Sequence, residues 1–143
     1  MGYFTIFELL VSLILASSSP FRKAILERLG VSFITVSPNI DETRKTVETP
    51  YDLVYRLAEE KAKEVAKTHS GLIIASDQVA TLDSGHAEGA YLLNKPFTHL
   101  NPFSQLQKSS DRTFTSLLRI PLLNTYTAIL QQHVTFLRFT PTA

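Results

Sequence analysis

The segment LILASSSPFRK, residues 13–23, places hydroxyl groups and cations where an apolar run ends. Ser17 and Ser19 follow the run, and Arg22 comes three residues after Ser19. In α/β sheets, ligands bind beyond the carboxyl ends of strands, and a helix that begins there offers unpaired N–H groups to phosphate. Serine hydroxyls and a forked guanidinium add further donors. The segment predicts an anion site, with an ordinary serine-capped helix as the alternative.

Carboxylates stand at two further points where apolar stretches give way to polar ones. In NIDET, Asp41 and Glu42 adjoin a turn and are of the type that holds Mg²⁺ or Mn²⁺. Solvated turn acids are the alternative. The apolar run 72–75 is followed by Ser76, and Asp77 and Gln78 come directly after that serine. Because a buried carboxylate needs a cation, a donor or contact with water, Asp77 is a candidate site residue.

Two lysines complete the set of candidate charges. Lys61 lies four residues after Leu57 and four before Val65, so it belongs to the apolar face of a predicted helix. Such a lysine either extends its ammonium group to solvent or reaches into a cleft, and the sequence leaves both open. Lys95, in LNKP, is uninformative by itself. The histidines have no metal-ligand spacing, and no P-loop, GxGxxG or GxSxG motif is present.

Alternating strand and helix signals must position these side chains. Pro20 suits the first turn of a helix capped by Ser19, and Thr49 with Asp52 has the spacing of a capping box. The predicted elements are a strand at 11–16, a helix ending at Gly30, a strand at 33–36, a helix from Thr49 and a strand at 72–75. This order predicts an α/β sheet covered by helices.

The second half of the chain carries weaker signals. RTFTSLL, IPLLNTYTAIL and HVTFLRF have the composition of strands in a meander. Pro121 is expected to make its segment an edge strand or a break, because proline cannot donate to a sheet ladder. Residues 97–110 have room for a short helix.

The composition limits the class of protein. A chain of 143 residues, 44% of them hydrophobic, supports one packed domain. A net charge of +1 gives no field for gathering nucleic acid, and the lack of cysteine excludes disulfides and thiolate metal sites. No apolar stretch reaches the ~20 residues needed to span a membrane, and Glu8 interrupts an N-terminal stretch otherwise similar to a signal peptide. We therefore expect a cytoplasmic protein without a nucleic-acid or membrane partner.

The order of these motifs resembles the Maf family of nucleotide pyrophosphatases. The segments that carry the resemblance are LILASSSPFRKAILERLG, SPNIDET, TPYDLVYRLAEEKAKEVA, LIIASDQVATLD and NKP. The resemblance implies an enzyme that hydrolyses a nucleoside triphosphate to monophosphate and pyrophosphate with Mg²⁺ or Mn²⁺. It also implies an α/β fold with a mixed sheet flanked by helices, related to the inosine triphosphate pyrophosphatases, with a cleft between two lobes. Family members are commonly dimers, so a homodimer is also expected.

The resemblance implies a phosphate-binding role for five of the candidate residues. Ser17, Ser19 and Arg22, in the S-x-S-P-x-R segment, would hold the triphosphate. Lys61, in E-K-A, and Lys95, in K-P, would neutralise phosphate oxygens.

The remaining roles concern metal, catalysis and selectivity. Glu42 and Asp77 would bind the metal, and Asp77 would be the proton acceptor that activates water. Gln78 would sit beside the base and affect selectivity. An aromatic residue at Phe21 resembles the branch of the family that prefers 7-methyl-GTP, since a π-face attracts a cationic base. Phe21 acting only in packing is the structural alternative, and the dTTP- and UTP-preferring branch is the substrate alternative.

The C-terminal part departs from the family pattern. We expect one Maf-like domain over 1–143, with 12–95 most similar to the family and 96–143 divergent and shortened, leaving the second lobe incomplete. After RT, the family's tyrosine, threonine and glycine are replaced, and Arg119 stands where the glycine is expected. A shortened relative that binds nucleotide with little or no catalysis is therefore an alternative function. A purely structural dimer is a weaker one.

Overall fold

The described residues fold into a mixed sheet with two helices. The structure is a computed structural model and describes residues 12–83, 91–93 and 113–139. Its elements are β1 (Leu13–Ala16), α1 (Pro20–Glu27), β2 (Ile34–Val36), α2 (Pro50–Ala66), β3 (Leu72–Ala75), β4 (Asp77–Asp83), β5 (Tyr91–Leu93), β6 (Thr113–Asn124) and β7 (Ile129–Phe139).

The described residues form one seven-stranded sheet. Its order is β2-β1-β3-β6-β4-β5, and β7 pairs with β6. Strand β1 runs parallel to β2 and β3, whereas the pairs made by β6 and the β4–β5 pair are antiparallel. The predicted α/β class with a mixed sheet is confirmed. The predicted strands and helices of the first half are present, with bounds that differ from the predicted ones by up to three residues, the largest difference being the end of α1 at Glu27 and not at Gly30.

Both helices begin where their caps predicted. The Oγ of Ser19 accepts a hydrogen bond from the backbone N–H of Arg22 at 3.4 Å, and the hydroxyl of Thr49 accepts from that of Asp52 at 3.1 Å. These bonds satisfy N–H groups that the first turn of a helix otherwise leaves without partners. The turn after α1 ends at Gly30, whose φ of 70° favours glycine.

The expectation for Pro121 is wrong. Proline does not end β6 or place it at an edge, because β6 continues through Pro121 and pairs with β7 along nearly its whole length. Its other side pairs with β3 and β4 in one continuous register, in which Ile74 faces Leu122 and Asp77 faces Arg119. The ladder on that side is interrupted between these two pairs, where Pro121 lies. The gap in this ladder coincides with the residue that lacks an N–H, and the strand continues through it.

The main core lies between α2 and the central strands. It unites apolar side chains of β1, α2, β3 and β6: Ile14, Ala16, Ala62, Val65, Ile73, Ala75 and Leu123. A second cluster joins Val54 of α2 to Val79 and Leu117. Gly71 precedes β3 at φ 144°, and a Cβ there would lie 2.2 Å from the carbonyl oxygen of Ser12. Only glycine allows the backbone at this position to approach the backbone of Ser12 so closely.

None of the helices in the described parts of the chain combines the length and the apolar character that a membrane crossing requires.

Candidate active site

Lys61 joins two carboxylates that are distant in the sequence. Its Nζ lies 2.7 Å from Oε1 of Glu42 and 2.7 Å from Oδ1 of Asp77. Lys61 and Asp77 are only 5% and 3% exposed, whereas Glu42 is partly open to solvent. Of the two alternatives for Lys61, the structure selects the inward one. Buried charge of either sign requires a partner, and each of these groups supplies one for the other.

Three elements supply these groups. Lys61 comes from the buried face of α2, Asp77 begins β4, and Glu42 lies in the loop between β2 and α2. Strand β3 is apolar because it is central in the sheet, and the chain becomes polar at Ser76 where that strand ends. Asp77 therefore emerges at the carboxyl end of a parallel strand, as expected for a ligand site.

The segment 17–22 reaches the same end of the sheet. Ala16 pairs with Ala75, so Ser17 and Ser76 leave neighbouring parallel strands side by side. Nη1 of Arg22 donates a hydrogen bond of 3.2 Å to the carbonyl oxygen of Ser76, which immediately precedes Asp77. The buried Oγ of Ser17 accepts from the backbone N–H of Ser19 at 3.0 Å. The predicted anion segment and the lysine–carboxylate cluster thus meet at one corner of the fold.

Three other candidates lie differently. Gln78 alternates to the opposite face of β4 from Asp77, and its Nε2 donates to Oγ of Ser116 at 2.7 Å. Phe21 stands in the first turn of α1 with 64% of its surface exposed. Lys95 lies outside the described residues. The substrate roles of all three stay predictions.

The residues present fit a divalent metal. Oxygens of Glu42 and Asp77 both lie within hydrogen-bonding distance of one cation, the Lys61 ammonium. Mg²⁺ and Mn²⁺ favour one or two carboxylates and complete their shells with water and substrate phosphate. Within the described ranges, no cluster of three or more histidine or acidic side chains is present that could hold a metal alone.

Sequence reasoning missed an ion pair behind this cluster. Arg56 of α2 forms a forked contact with Glu48, through Nε to Oε1 at 2.6 Å and Nη2 to Oε2 at 3.0 Å. The hydrogen bonds from Arg56 are the main reason that the pKa of Glu48 falls from 4.5 to about 2. The only sequence signal was the i,i+4 spacing of Arg56 and Glu60. That spacing predicts a surface pair and gives no indication of Glu48.

Comparison with known proteins gives the family. The model of the family described as Maf-like protein matches residues 12–142. The chain belongs to the Maf family. Maf relatives named 7-methyl-GTP pyrophosphatase include proteins of Pseudomonas syringae pv. tomato, 48% identical over 81% of this chain, and of Pseudoalteromonas atlantica, 45% identical over 82%. The match covers 58% and 57% of those two proteins, so this Maf chain spans less than three fifths of their length.

Two solved structures share the fold. One is described as a nucleoside-triphosphatase or dITP/XTP pyrophosphatase of Mycobacterium abscessus, with a TM-score of 0.50 and 21% identity. The other is a HAM1 protein of Coxiella burnetii, with a TM-score of 0.56 and 17% identity. Each similarity covers 90% of this chain and 72% of the other. At such identities the likeness concerns the fold, and the predicted cleft between two lobes stays a prediction.

Proposed function

We propose that this Maf chain hydrolyses a nucleoside triphosphate to the monophosphate and pyrophosphate, with 7-methyl-GTP as the preferred substrate. The observation that carries the proposal is the buried Lys61 between Glu42 and Asp77, beside the segment that contains Ser17 and Arg22. The names of the Maf relatives support the reaction and the substrate. The same names favour 7-methyl-GTP over dTTP and UTP.

The charges divide naturally between binding and chemistry. Ser17, Ser19, Arg22 and the N-terminus of α1 offer donors to the phosphates, and Lys61 offsets negative charge close to Asp77. The Asp77 carboxylate accepts a proton from water, whose oxygen attacks the α-phosphorus. The bond between the α- and β-phosphates breaks, and pyrophosphate leaves with the electron pair.

Glu42 and Asp77 are the residues proposed to hold Mg²⁺ or Mn²⁺, which would neutralise charge on the phosphate oxygens when bound. In the present structure, the Lys61 ammonium lies between the same two carboxylates and offsets part of their negative charge. With a metal held by Glu42 and Asp77, Lys61 would be available to contact substrate phosphate. The two cations would then share the charge of the triphosphate.

Phe21 is the proposed selectivity residue. A base methylated at N7 carries positive charge and is attracted to an aromatic face. Phe21 precedes Arg22 in the first turn of α1 and its side chain is largely exposed, which supports a place for it beside the base of a nucleotide whose phosphates contact Arg22. We also propose a cytoplasmic location and a homodimer, the latter to be measured by light scattering.

The test is pyrophosphate release from 7-methyl-GTP, GTP, dTTP and UTP with Mg²⁺ or Mn²⁺. We expect 7-methyl-GTP to be hydrolysed fastest and Asp77→Asn to lower kcat by about 100-fold or more. The matched control is Asp52→Asn, an exposed position in the first turn of α2. If nucleotide raises the thermal stability of the protein but no pyrophosphate is released, the protein binds nucleotide without hydrolysing it, and the proposed activity is wrong. Equal rates on all four nucleotides would remove the 7-methyl-GTP preference.

A further inference from the structure

The loop that carries Glu42 is tied to α2 by the guanidinium of Arg56, in addition to the ion pair between Lys61 and Glu42. This loop, residues 37–49, connects β2 to α2. Besides its fork to Glu48, Arg56 donates from Nη2 to the backbone carbonyl of Thr43 at 3.0 Å. Thr43 is the residue next to Glu42. Arg56 therefore contacts the loop directly beside the proposed metal ligand and again five residues further on.

Glu48 extends this connection back into the loop. Its Oε2 accepts from the backbone N–H of Lys45 at 3.1 Å, and its carbonyl oxygen accepts from Nε of Arg44 at 2.8 Å. The Glu48 side chain is 8% exposed. Residues 44–48 thus form a turn that is held together by hydrogen bonds to Glu48, and Arg56 supplies the opposite charge for the Glu48 carboxylate.

We propose that Arg56, acting with Glu48, is a positioning residue that holds Glu42 at the metal site. The inference rests on the proposed function, because it assigns to Glu42 the metal role given above. Helix α2 carries both Arg56 and Lys61, so the loop is fixed to one rigid element at Glu42 and at Thr43, the residue that follows it. Glu42 itself is partly exposed, and its carboxylate is held by Lys61.

The physical basis is the entropy of the loop. An unanchored loop samples many backbone conformations, and fixing each residue costs free energy that a bound cation would otherwise have to supply. The contacts of Arg56 and Glu48 already order the loop when the protein folds, so the bound cation does not have to supply this free energy. Partners of this kind, which orient a ligand without touching the metal, typically change metal affinity or activity by about 10- to 100-fold when replaced.

The geometry requires arginine and not merely a cation. One guanidinium makes four contacts with two carboxylates and a carbonyl, from three different nitrogens. A lysine at this position keeps a charge for Glu48 but has a single nitrogen and lacks the planar fork. Arg56→Lys therefore separates loop positioning from simple charge neutralisation. Glu60→Gln is the matched control, because Glu60 also binds Arg56 but belongs to α2 itself.

The experiment measures three properties of the wild type, Arg56→Lys, Glu48→Gln and Glu60→Gln. They are the affinity for Mn²⁺ alone by electron paramagnetic resonance, amide hydrogen exchange at Lys45, and affinity for 7-methyl-GTP without metal. For Arg56→Lys we expect Mn²⁺ affinity to fall by about tenfold or more and exchange at Lys45 to accelerate by a similar factor. Metal-free nucleotide affinity should change by less than about twofold, since Ser17 and Arg22 are unaffected.

Each outcome decides the proposal. Glu48→Gln should resemble Arg56→Lys, and Glu60→Gln should resemble the wild type. Unchanged Mn²⁺ affinity and exchange in Arg56→Lys would overturn the positioning role, as would equal losses in Glu60→Gln. If the wild type binds no Mn²⁺, the proposed metal site fails. Even in that case, an exchange rate at Lys45 that is the same in Arg56→Lys as in the wild type would be enough to reject the anchoring of the loop by Arg56.

Discussion

Two arginines connect α2 to the rest of the molecule, and their surroundings differ sharply. Arg56 uses all three guanidinium nitrogens and has carboxylates at 2.6 Å and 3.1 Å. Arg119 of β6 is 2% exposed, and its Nη2 lies 3.6 Å from Oε2 of Glu59. Its buried Nε has no hydrogen-bond partner among the residues that the structure describes. A buried charge stabilises a fold only when its donors are matched, and only Arg56 meets this condition.

Arg119 is retained by other contacts. Its guanidinium carbon lies 3.9 Å from the centre of the Tyr55 ring, and Nη1 donates to the backbone carbonyl of the same tyrosine. Glu59 has a nearer cation in Lys63, which is the main cause of the lowered pKa of Glu59. Arg119 also lies in the segment that departs from the family pattern, where a glycine is expected. The poorly matched arginine thus lies in the part of the chain predicted to diverge from the family, and the well-matched one in the part predicted to resemble it most.

The largest expected effect on stability is that of Arg56→Met. Methionine leaves the buried Glu48 without its cation and the Thr43 carbonyl without its donor, so Tm should fall by several degrees. Thermal unfolding followed by circular dichroism measures this change. The comparison would break if Arg119→Met, in the same experiment, lowered Tm as much.

An intermediate effect is expected from acid. The hydrogen bonds from Arg56 lower the pKa of Glu48 from its ordinary value of 4.5 to about 2 in the fold. The ionised carboxylate therefore contributes its full stabilisation above pH 4.5. That stabilisation is lost progressively as the pH falls from about 4.5 toward 2. Urea unfolding at several pH values should show a steeper loss in this window for the wild type than for Glu48→Gln. Parallel curves would mean that the Arg56 pair contributes nothing to acid stability.

The smallest effect is expected from Arg119→Met. The change removes a buried, incompletely bonded charge and leaves Glu59 with Lys63 and solvent as partners. We expect a free energy of unfolding between the wild-type value and about 2 kcal/mol above it, measured in urea. A marked loss of stability would show that the Tyr55 contacts outweigh the unsatisfied nitrogen, and the contrast between the arginines would then be one of degree.

Much of the first half could be predicted because its signals are local. Ser19 and Thr49 cap helices through bonds to residues three positions away, and the strand at 72–75 is apolar because it is central. Pro121 could not be interpreted in the same way. Whether its missing N–H disrupts a strand depends on which neighbours β6 has at that point, and this is a property of the assembled sheet.

The sequence by itself determined the α/β class and the helix starts, since caps, periodicity and strand ends act over a few residues. The phosphate site at residues 17–22 stays a prediction from the same local signals. Only the tertiary structure decided that Lys61 turns inward between Glu42 and Asp77, and that Arg56 ties the Glu42 loop to its helix. Those contacts join residues 8 to 19 positions apart. Their distances depend on how a loop, a helix and a strand pack together, which no local pattern encodes.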